Sequence, residues 1–200
     1  MRELVLASSN RGKLAELAPL LADAGFALRT QGEFGVTDAV EDGLSFVENA
    51  IIKARHASAA TGLPAVGDDS GILVDALGGA PGLYSARFAG SHGDSAANVE
   101  KLLGALRDVR GQTRSARFHC ALVLVRNAND ARPLIAEGTW EGLVLEAPRG
   151  NGGFGYDPVF FDPVLGQGAA ELPEALKNQV SHRGQAIARL RTLLASATLP

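Results

Sequence analysis

A short apolar run, ELVLAS at residues 3–8, ends in a polar loop, and GKLAELAPLLADAG follows, in which Leu14, Leu17, Leu20 and Leu21 recur at helical spacing. The order is strand, loop, helix, and Gly25 supplies the stop near Ala24, because glycine enters the left-handed conformation without a side-chain clash. A second helix is expected within EDGLSFVENAIIKARHASAATG. Ser45 and Glu48 stand there in the S-x-x-E capping arrangement, and Phe46, Val47, Ala50, Ala54 and Ala57 make an apolar face. PAVGDD and GILVDAL read as two short strands around an acidic pair, and Gly78 to Gly90 as a glycine-rich, proline-containing loop. DSAANVEKLLGAL returns to helical spacing. SARFHCALVLV and RPLIAEGTWEGLVL read as a hairpin joined across Asn127 to Asp130, whose Asn and Asp content suits a turn. APRGNGGFGYDPVFF reads as loop and ELPEALKN as a short helical piece, and Ser181 can cap a last helix with Ile187, Leu190 and Leu194 on its core face. Strands alternating with helices, plus one antiparallel hairpin, predict an α/β protein built on a mixed β-sheet.

The length of 200 residues suits a single domain spanning 1–200. An apolar share of 46% and a charged share of 20% fit a soluble globular chain, and no uninterrupted apolar run approaches the roughly 20 residues of a membrane span. A net charge of -3 argues against nucleic acid as partner, since neutralising phosphates needs clustered Lys and Arg, but it leaves room for a small anionic ligand. The one cysteine, Cys120, falls in an expected buried strand, and the N-terminus lacks a signal-peptide segment, so a cytoplasmic protein is expected.

The stretch AVGDDSG at residues 65–71 sets two carboxylates side by side. At a strand end, one of them could face a divalent cation while glycine leaves room for a ligand. The plainer alternative is a solvated turn in which Asp68 or Asp69 caps backbone amides. SSNRGK, Ser8 to Lys13, lies between a strand and a helix, where hydroxyls, the Asn10 amide, backbone N–H groups and the Lys13 ammonium could cradle phosphate oxygens. It is not a Walker A loop, which needs an earlier Gly and a Ser or Thr where Leu14 stands, and an ordinary helix cap remains open. In GGFGYDP, Phe154 and Tyr156 could stack on a base, or Phe154 could be core and Tyr156 a turn residue. Lys177, His182 and Arg183 in KNQVSHRG are donors suited to a base carbonyl or a phosphate, or to structural roles near a helix start.

SSNRGK, EDGLSFVENAIIKA, GDDSGILVDALGGAPGLYSARFAG, FGYDPVF and KNQVSHRGQA together resemble, in order and approximate spacing from Ser8 to Ala186, the inosine/xanthosine triphosphate pyrophosphatases. These are also called non-canonical purine nucleoside triphosphate pyrophosphatases or HAM1-like proteins. The resemblance implies an elongated mixed sheet flanked by helices in two lobes with a cleft between them. It also implies Mg²⁺-dependent hydrolysis of dITP, ITP or XTP to the monophosphate and pyrophosphate by a homodimer, which would keep deaminated purines out of DNA and RNA. On the family pattern Ser8, Ser9, Asn10, Arg11, Gly12 and Lys13 hold the triphosphate and Lys53 reaches toward the phosphates. Asp69 binds metal and acts as general base, and Glu41 helps hold the metal. Ser70 touches substrate, while Phe154, Gly155, Tyr156, Asp157, Lys177, His182 and Arg183 match the segments that recognise base and sugar. Asp68 is expected in support of Asp69. Where the family often has Ala before the pair this chain has Gly67, for which a local backbone effect is expected. Two other classes are compatible with parts of the pattern: a Maf-like nucleotide pyrophosphatase of related architecture, and a binding module without turnover. The intact Asp69, Lys13 and Lys53 argue against the second.

Overall fold

Strand β1 (Arg2–Leu6) leads into helix α1 (Arg11–Ala22) of a computed structural model that describes residues 1–91 and 93–196. Asn10 starts the helix: its Oδ1 accepts the N–H groups of Gly12 at 2.9 Å and Lys13 at 3.1 Å, two of the donors that a first helical turn leaves without intrahelical acceptors. The helix stops just short of Gly25, whose φ of +87° is the left-handed value expected there. Strand β2 (Phe26–Thr30) follows, and then helix α2 (Phe46–Thr61). Its start is the expected cap, with Ser45 Oγ accepting the Glu48 N–H at 3.2 Å. Glu48 in turn accepts from the Leu44 N–H and the Ser45 hydroxyl at 2.9 Å each.

The acidic pair does not interrupt a strand. β3 (Ala65–Val74) is one continuous element with Asp68 and Asp69 inside it, so the expectation of two short strands with the pair at an end is corrected. Both carboxylates have partners within the fold, which removes the need for a solvated turn. Helix α3 (Ser95–Ala105), the long strands β4 (Ser115–Val125) and β5 (Leu134–Val144), the short strands β6 (Phe160–Asp162) and β7 (Gln167–Gly168), and helices α4 (Glu174–Val180) and α5 (His182–Ser196) complete the chain. The sheet order is β2-β1-β3-β4-β5-β6-β7. β1 runs parallel to β2 and β3, and β6 antiparallel to β5 and β7, so the sheet is mixed, as expected.

The chain forms two compact units: residues 1–69, 120–138 and 183–200 in one, 70–119 and 139–182 in the other. In the first unit, strand alternation sorts side chains between two faces. Leu4, Leu6, Val66, Cys120, Leu122 and Leu124 pack with Leu17 and Leu21 of α1 and with Ala186, Ile187 and Leu190 of α5. Val5, Ala7, Ala65, Ala121, Val123 and Val125 pack with Ala50, Ala54 and Ala57 of α2. Burial on both faces explains why these strands read as continuous apolar runs. The second unit has its own core of Ile72, Val74, Leu102, Leu106, Phe118, Trp140, Tyr156 and Phe160, with the Phe118 and Phe160 rings 4.6 Å apart.

The alanine face of α2 lets this helix lie close to the sheet, and Gly67 completes the fit. A Cβ at residue 67 would fall 2.1 Å from the Ala50 carbonyl oxygen and 3.0 Å from the Ala54 nitrogen, both rigid helix backbone. The effect of Gly67 is therefore on helix packing and not merely local. Gly67→Ala is expected to destabilise the protein by about 1–3 kcal/mol through overpacking, measured by urea unfolding; an unchanged midpoint would show that α2 can shift without cost.

Candidate active site

Consecutive residues of a strand point to opposite faces, so Asp68 and Asp69 enter different surroundings. Asp68 faces α1 and α5 and is fully buried. Lys13 Nζ lies 2.6 Å from its Oδ1 and donates to its backbone carbonyl at 3.0 Å. Arg183 Nε lies 2.6 Å from Oδ2, and the same guanidinium reaches Glu16 Oε2 at 2.5 Å. Two cations thus meet two carboxylates. Burial opposes ionisation of Asp68, but Arg183 and Lys13 outweigh it and hold the carboxyl well below its ordinary value. Cys120 Sγ is 3.7 Å from Asp68 Oδ2, and burial together with that carboxylate pushes the thiol well up, which leaves it inert.

Asp69 faces α2. Lys53 Nζ stands 2.7 Å from Asp69 Oδ1 and 2.9 Å from Glu41 Oε1, so one ammonium lies between two carboxylates. The other oxygen, Asp69 Oδ2, accepts from Asn49 Nδ2 at 3.3 Å. Burial raises the Asp69 carboxyl above its usual range, and Lys53 offsets that only in part. For Lys53 burial works against the charge, but Asp69 and Glu41 more than compensate and leave the ammonium pKa raised.

The phosphate-cradle candidates lie at the start of α1. Ser8 Oγ accepts the Asn10 N–H at 3.1 Å, and Ser9 and Arg11 are exposed. Asn10 is the helix cap, and two of the N–H groups expected to face phosphate, those of Gly12 and Lys13, are held by its Oδ1. Lys13 is not a solvated lysine but a partner of Asp68.

The base- and sugar-recognition candidates other than Arg183 belong to the second unit. Asp157 gathers two of them: its Oδ2 accepts the Phe154 N–H at 2.7 Å and lies 2.7 Å from Lys177 Nζ, and that ammonium sits 5.3 Å from the Phe154 ring centre. Gly155 makes the turn with φ +62°. Tyr156 is core, its hydroxyl donating to the Ser85 carbonyl at 2.8 Å, while His182 stacks on Phe118 at 4.7 Å. Ser70, half-buried, follows Asp69 directly in β3.

Asn49 and Glu16 join these clusters without having been singled out from sequence. Their spacing carries a signal: Asn49 lies four residues before Lys53, and Glu16 three after Lys13, so each shares a helical face with its neighbour.

The sequence matches the model of the Ham1 family over residues 4–193. It is 60% identical, over 199 residues and the whole of both chains, to a dITP/XTP pyrophosphatase of Xanthomonas campestris pv. campestris strain 8004. It is 54% identical over 190 residues to the dITP/XTP pyrophosphatase of Vibrio cholerae, covering 95% of each chain. Among solved structures it resembles a HAM1 protein from Coxiella burnetii with a TM-score of 0.89 and 51% identity, covering 98% of this chain and all of that one. A Staphylococcus aureus Ham1 protein gives 0.84 and 37%, covering 98% and 99%.

The Asp68 cluster predicts a stability effect with a defined pH dependence. Asp68→Asn leaves Lys13 and Arg183 buried with one carboxylate removed, at an expected cost of about 3–5 kcal/mol at neutral pH. Because folding lowers the Asp68 pKa, its contribution is complete above the unfolded value of about 3.9 and is lost as pH falls toward the folded value. The gap between the proteins in denaturant melts should therefore be constant from pH 7 to about 5 and close below about pH 4. A gap that widens on acidification would contradict this.

Proposed function

The chain belongs to the Ham1 family, and we propose that it hydrolyses dITP, ITP and XTP to the nucleoside monophosphate and pyrophosphate, a Mg²⁺-dependent reaction that clears deaminated purines from the nucleotide pool. What carries this reading is the end-to-end likeness to chains that bear the name dITP/XTP pyrophosphatase. The match over residues 4–193 also supports treating the chain as one catalytic domain.

Release of pyrophosphate breaks the bond between the α and β phosphates, with water supplying the new oxygen on the α phosphorus. In this reading Asp69 orients that water and takes its proton. The Lys53 ammonium 2.7 Å away favours the ionised carboxylate, and bound Mg²⁺ would do the same, so the group can orient the water while the metal supplies most of its acidification. Lys53 keeps the Asp69 carboxylate aimed and brings positive charge toward the phosphates. We assign Ser8, Ser9, Asn10, Arg11, Gly12 and Lys13 to the triphosphate, at a helix N-terminus whose partial positive charge favours anions.

Glu41 and Asp69 are the carboxylates that would hold Mg²⁺. Their oxygens suit a hard cation, and the two carboxylates lie near one another, each within 2.9 Å of the Lys53 ammonium. Among the described residues no cluster of three or more His, Cys, Asp or Glu is arranged for a metal, and Mg²⁺ ordinarily takes one or two carboxylates with the rest from substrate phosphates and water. The donor set therefore fits a cation that arrives with the nucleotide. When bound, Mg²⁺ would neutralise phosphate charge and acidify the attacking water.

Hypoxanthine and xanthine carry a carbonyl where adenine carries an amino group, so a site lined with donors favours them. Lys177 and His182 are the donors we assign; Arg183, matched to the family's recognition segment, has its guanidinium engaged by Asp68 and Glu16 and acts by holding that cluster. A buried donor left facing another donor costs about 1–3 kcal/mol, enough for roughly tenfold to more than a hundredfold rejection of ATP. We further read the protein as a cytoplasmic homodimer with neither nucleic acid nor membrane as partner; among the described residues no helix is long and apolar enough to cross a membrane.

The deciding experiment is pyrophosphate release over all common and deaminated purine triphosphates with Mg²⁺. We expect a large kcat/KM preference for ITP, dITP and XTP over ATP and GTP, and comparable values for ATP and ITP would overturn the reading. Asp69→Asn should lower turnover by about 10² or more, and most of the wild-type rate in that variant would remove Asp69 from the role. His182→Ala should narrow the ITP-to-ATP ratio, and an unaltered ratio would show that the ring does not read the base. Light scattering should give twice the chain mass, against which a monomer at micromolar concentration would count.

A further inference from the structure

We propose that Asn49 is a positioning residue that ties the loop carrying Glu41 to the Asp69 carboxylate, an inference that rests on the reading of these two carboxylates given above. Asn49 is only 2% exposed, and both ends of its amide are engaged. Oδ1 accepts the Gly43 N–H at 2.9 Å, and Nδ2 donates to Asp69 Oδ2 at 3.3 Å. A backbone N–H can only be met by the amide oxygen and an ionised carboxylate only by the amide nitrogen, so a single orientation of the side chain satisfies both.

The consequence is mechanical. Asp69 is held at each oxygen by a different residue of α2, Lys53 at Oδ1 and Asn49 at Oδ2. With both oxygens engaged the carboxylate plane is fixed, and rotation would break one bond or the other. The same two residues also hold the loop, Lys53 through Glu41 and Asn49 through Gly43 two residues further on. The helix thus sets the separation of the two carboxylates from two points. Glycine at residue 43 permits the approach, since a Cβ there would lie 2.7 Å from Asn49 Oδ1 and 2.8 Å from Glu48 Cβ. Residues that orient metal-binding carboxylates typically contribute about 10- to 100-fold in metal affinity or activity, and Asn49 is built for that role.

Two variants separate the halves of the tie. Asn49→Ala removes both bonds, whereas Asn49→Asp keeps the shape and an oxygen for the Gly43 N–H but turns a second carboxylate oxygen toward Asp69 Oδ2. Amide hydrogen exchange is read by NMR on the metal-free, nucleotide-free protein. There Asn49→Ala should speed Gly43 exchange at least about tenfold, and Asn49→Asp should leave it near wild type. In ITP hydrolysis both should lose about 10- to 100-fold in kcat at saturating Mg²⁺ with KM within about threefold, and Asn49→Ala should also raise the Mg²⁺ concentration for half-maximal rate. Thermal melts normalise each rate to the folded fraction. Wild-type kcat in either variant, a change confined to KM, or unchanged Gly43 exchange in Asn49→Ala would overturn the proposal. A wild-type protein that releases no pyrophosphate from ITP would instead remove the proposed function, while the exchange measurement would still decide whether the tie exists.

Discussion

Side chains alternate along a β-strand, and at Asp68 and Asp69 that alternation separates two identical groups as completely as distance would. One carboxylate is delivered to the α1 and α5 face, the other to the α2 face, and neither can join the other on a shared cation. Each then takes its character from the helix it meets. Asp68 is neutralised by Lys13 and Arg183 and stays ionised without access to water. Asp69 meets one ammonium that it shares with Glu41, so its charge is only partly compensated and burial keeps the upper hand. The pair is a division of labour imposed by backbone geometry.

The Asp68 side of the sheet shows what it takes to bury ions. Taking charges out of water costs several kcal/mol for each ion, and a compact cluster recovers that only when every charge is matched. Lys13, Asp68, Arg183 and Glu16 match, but they come from α1, β3 and α5. The cluster therefore rewards only the arrangement in which all three elements are docked, which favours one packing of α1 and α5 over alternatives that apolar contacts alone would tolerate. On the other face small residues do the corresponding work. Ala50, Ala54 and Gly67 put little side-chain volume between helix and strand, and polar groups of α2 can reach Asp69.

Much of this was legible in the residues. The cap at Ser45 and the left-handed turn at Gly25 work through local backbone hydrogen bonds and dihedrals, and the structure has both, the helix ending at Ala22 a little before the expected stop. The long strands β4 and β5 and the terminal helix were visible in apolar runs and helical periodicity. The unbroken course of β3 was not, because Gly67, Asp68, Asp69, Ser70 and Gly71 look like turn residues when judged singly. They form a strand because tertiary neighbours supply the countercharges and the close helix that local preference knows nothing about. β2 was missed for a related reason, since Phe26–Thr30 is short and takes its identity from pairing with β1. At the candidate site, residue types pointed to phosphate, metal and base chemistry, but pairing was out of reach. Nothing local to Lys13 announces a partner 55 positions away, and Asn49 looks like any polar residue in a first helical turn until Gly43 and Asp69 are brought to its two ends.

The interleaving of the two units bears on how the chain can acquire its structure during synthesis. Leu4 and Leu6 of the first strand share a core with Ala186, Ile187 and Leu190 of the last helix, and Asp68 waits for Arg183 before its second countercharge arrives. The nascent chain therefore carries an unfinished apolar face and an under-compensated carboxylate until residues 183–190 have been made. Long sequence separation of this kind slows folding and prolongs exposure of sticky surface. The core of the unit made of residues 70–119 and 139–182 draws no residue from α5, so its sequence is complete earlier. Vectorial synthesis would thus complete the two units in the reverse of the order in which the ribosome begins them.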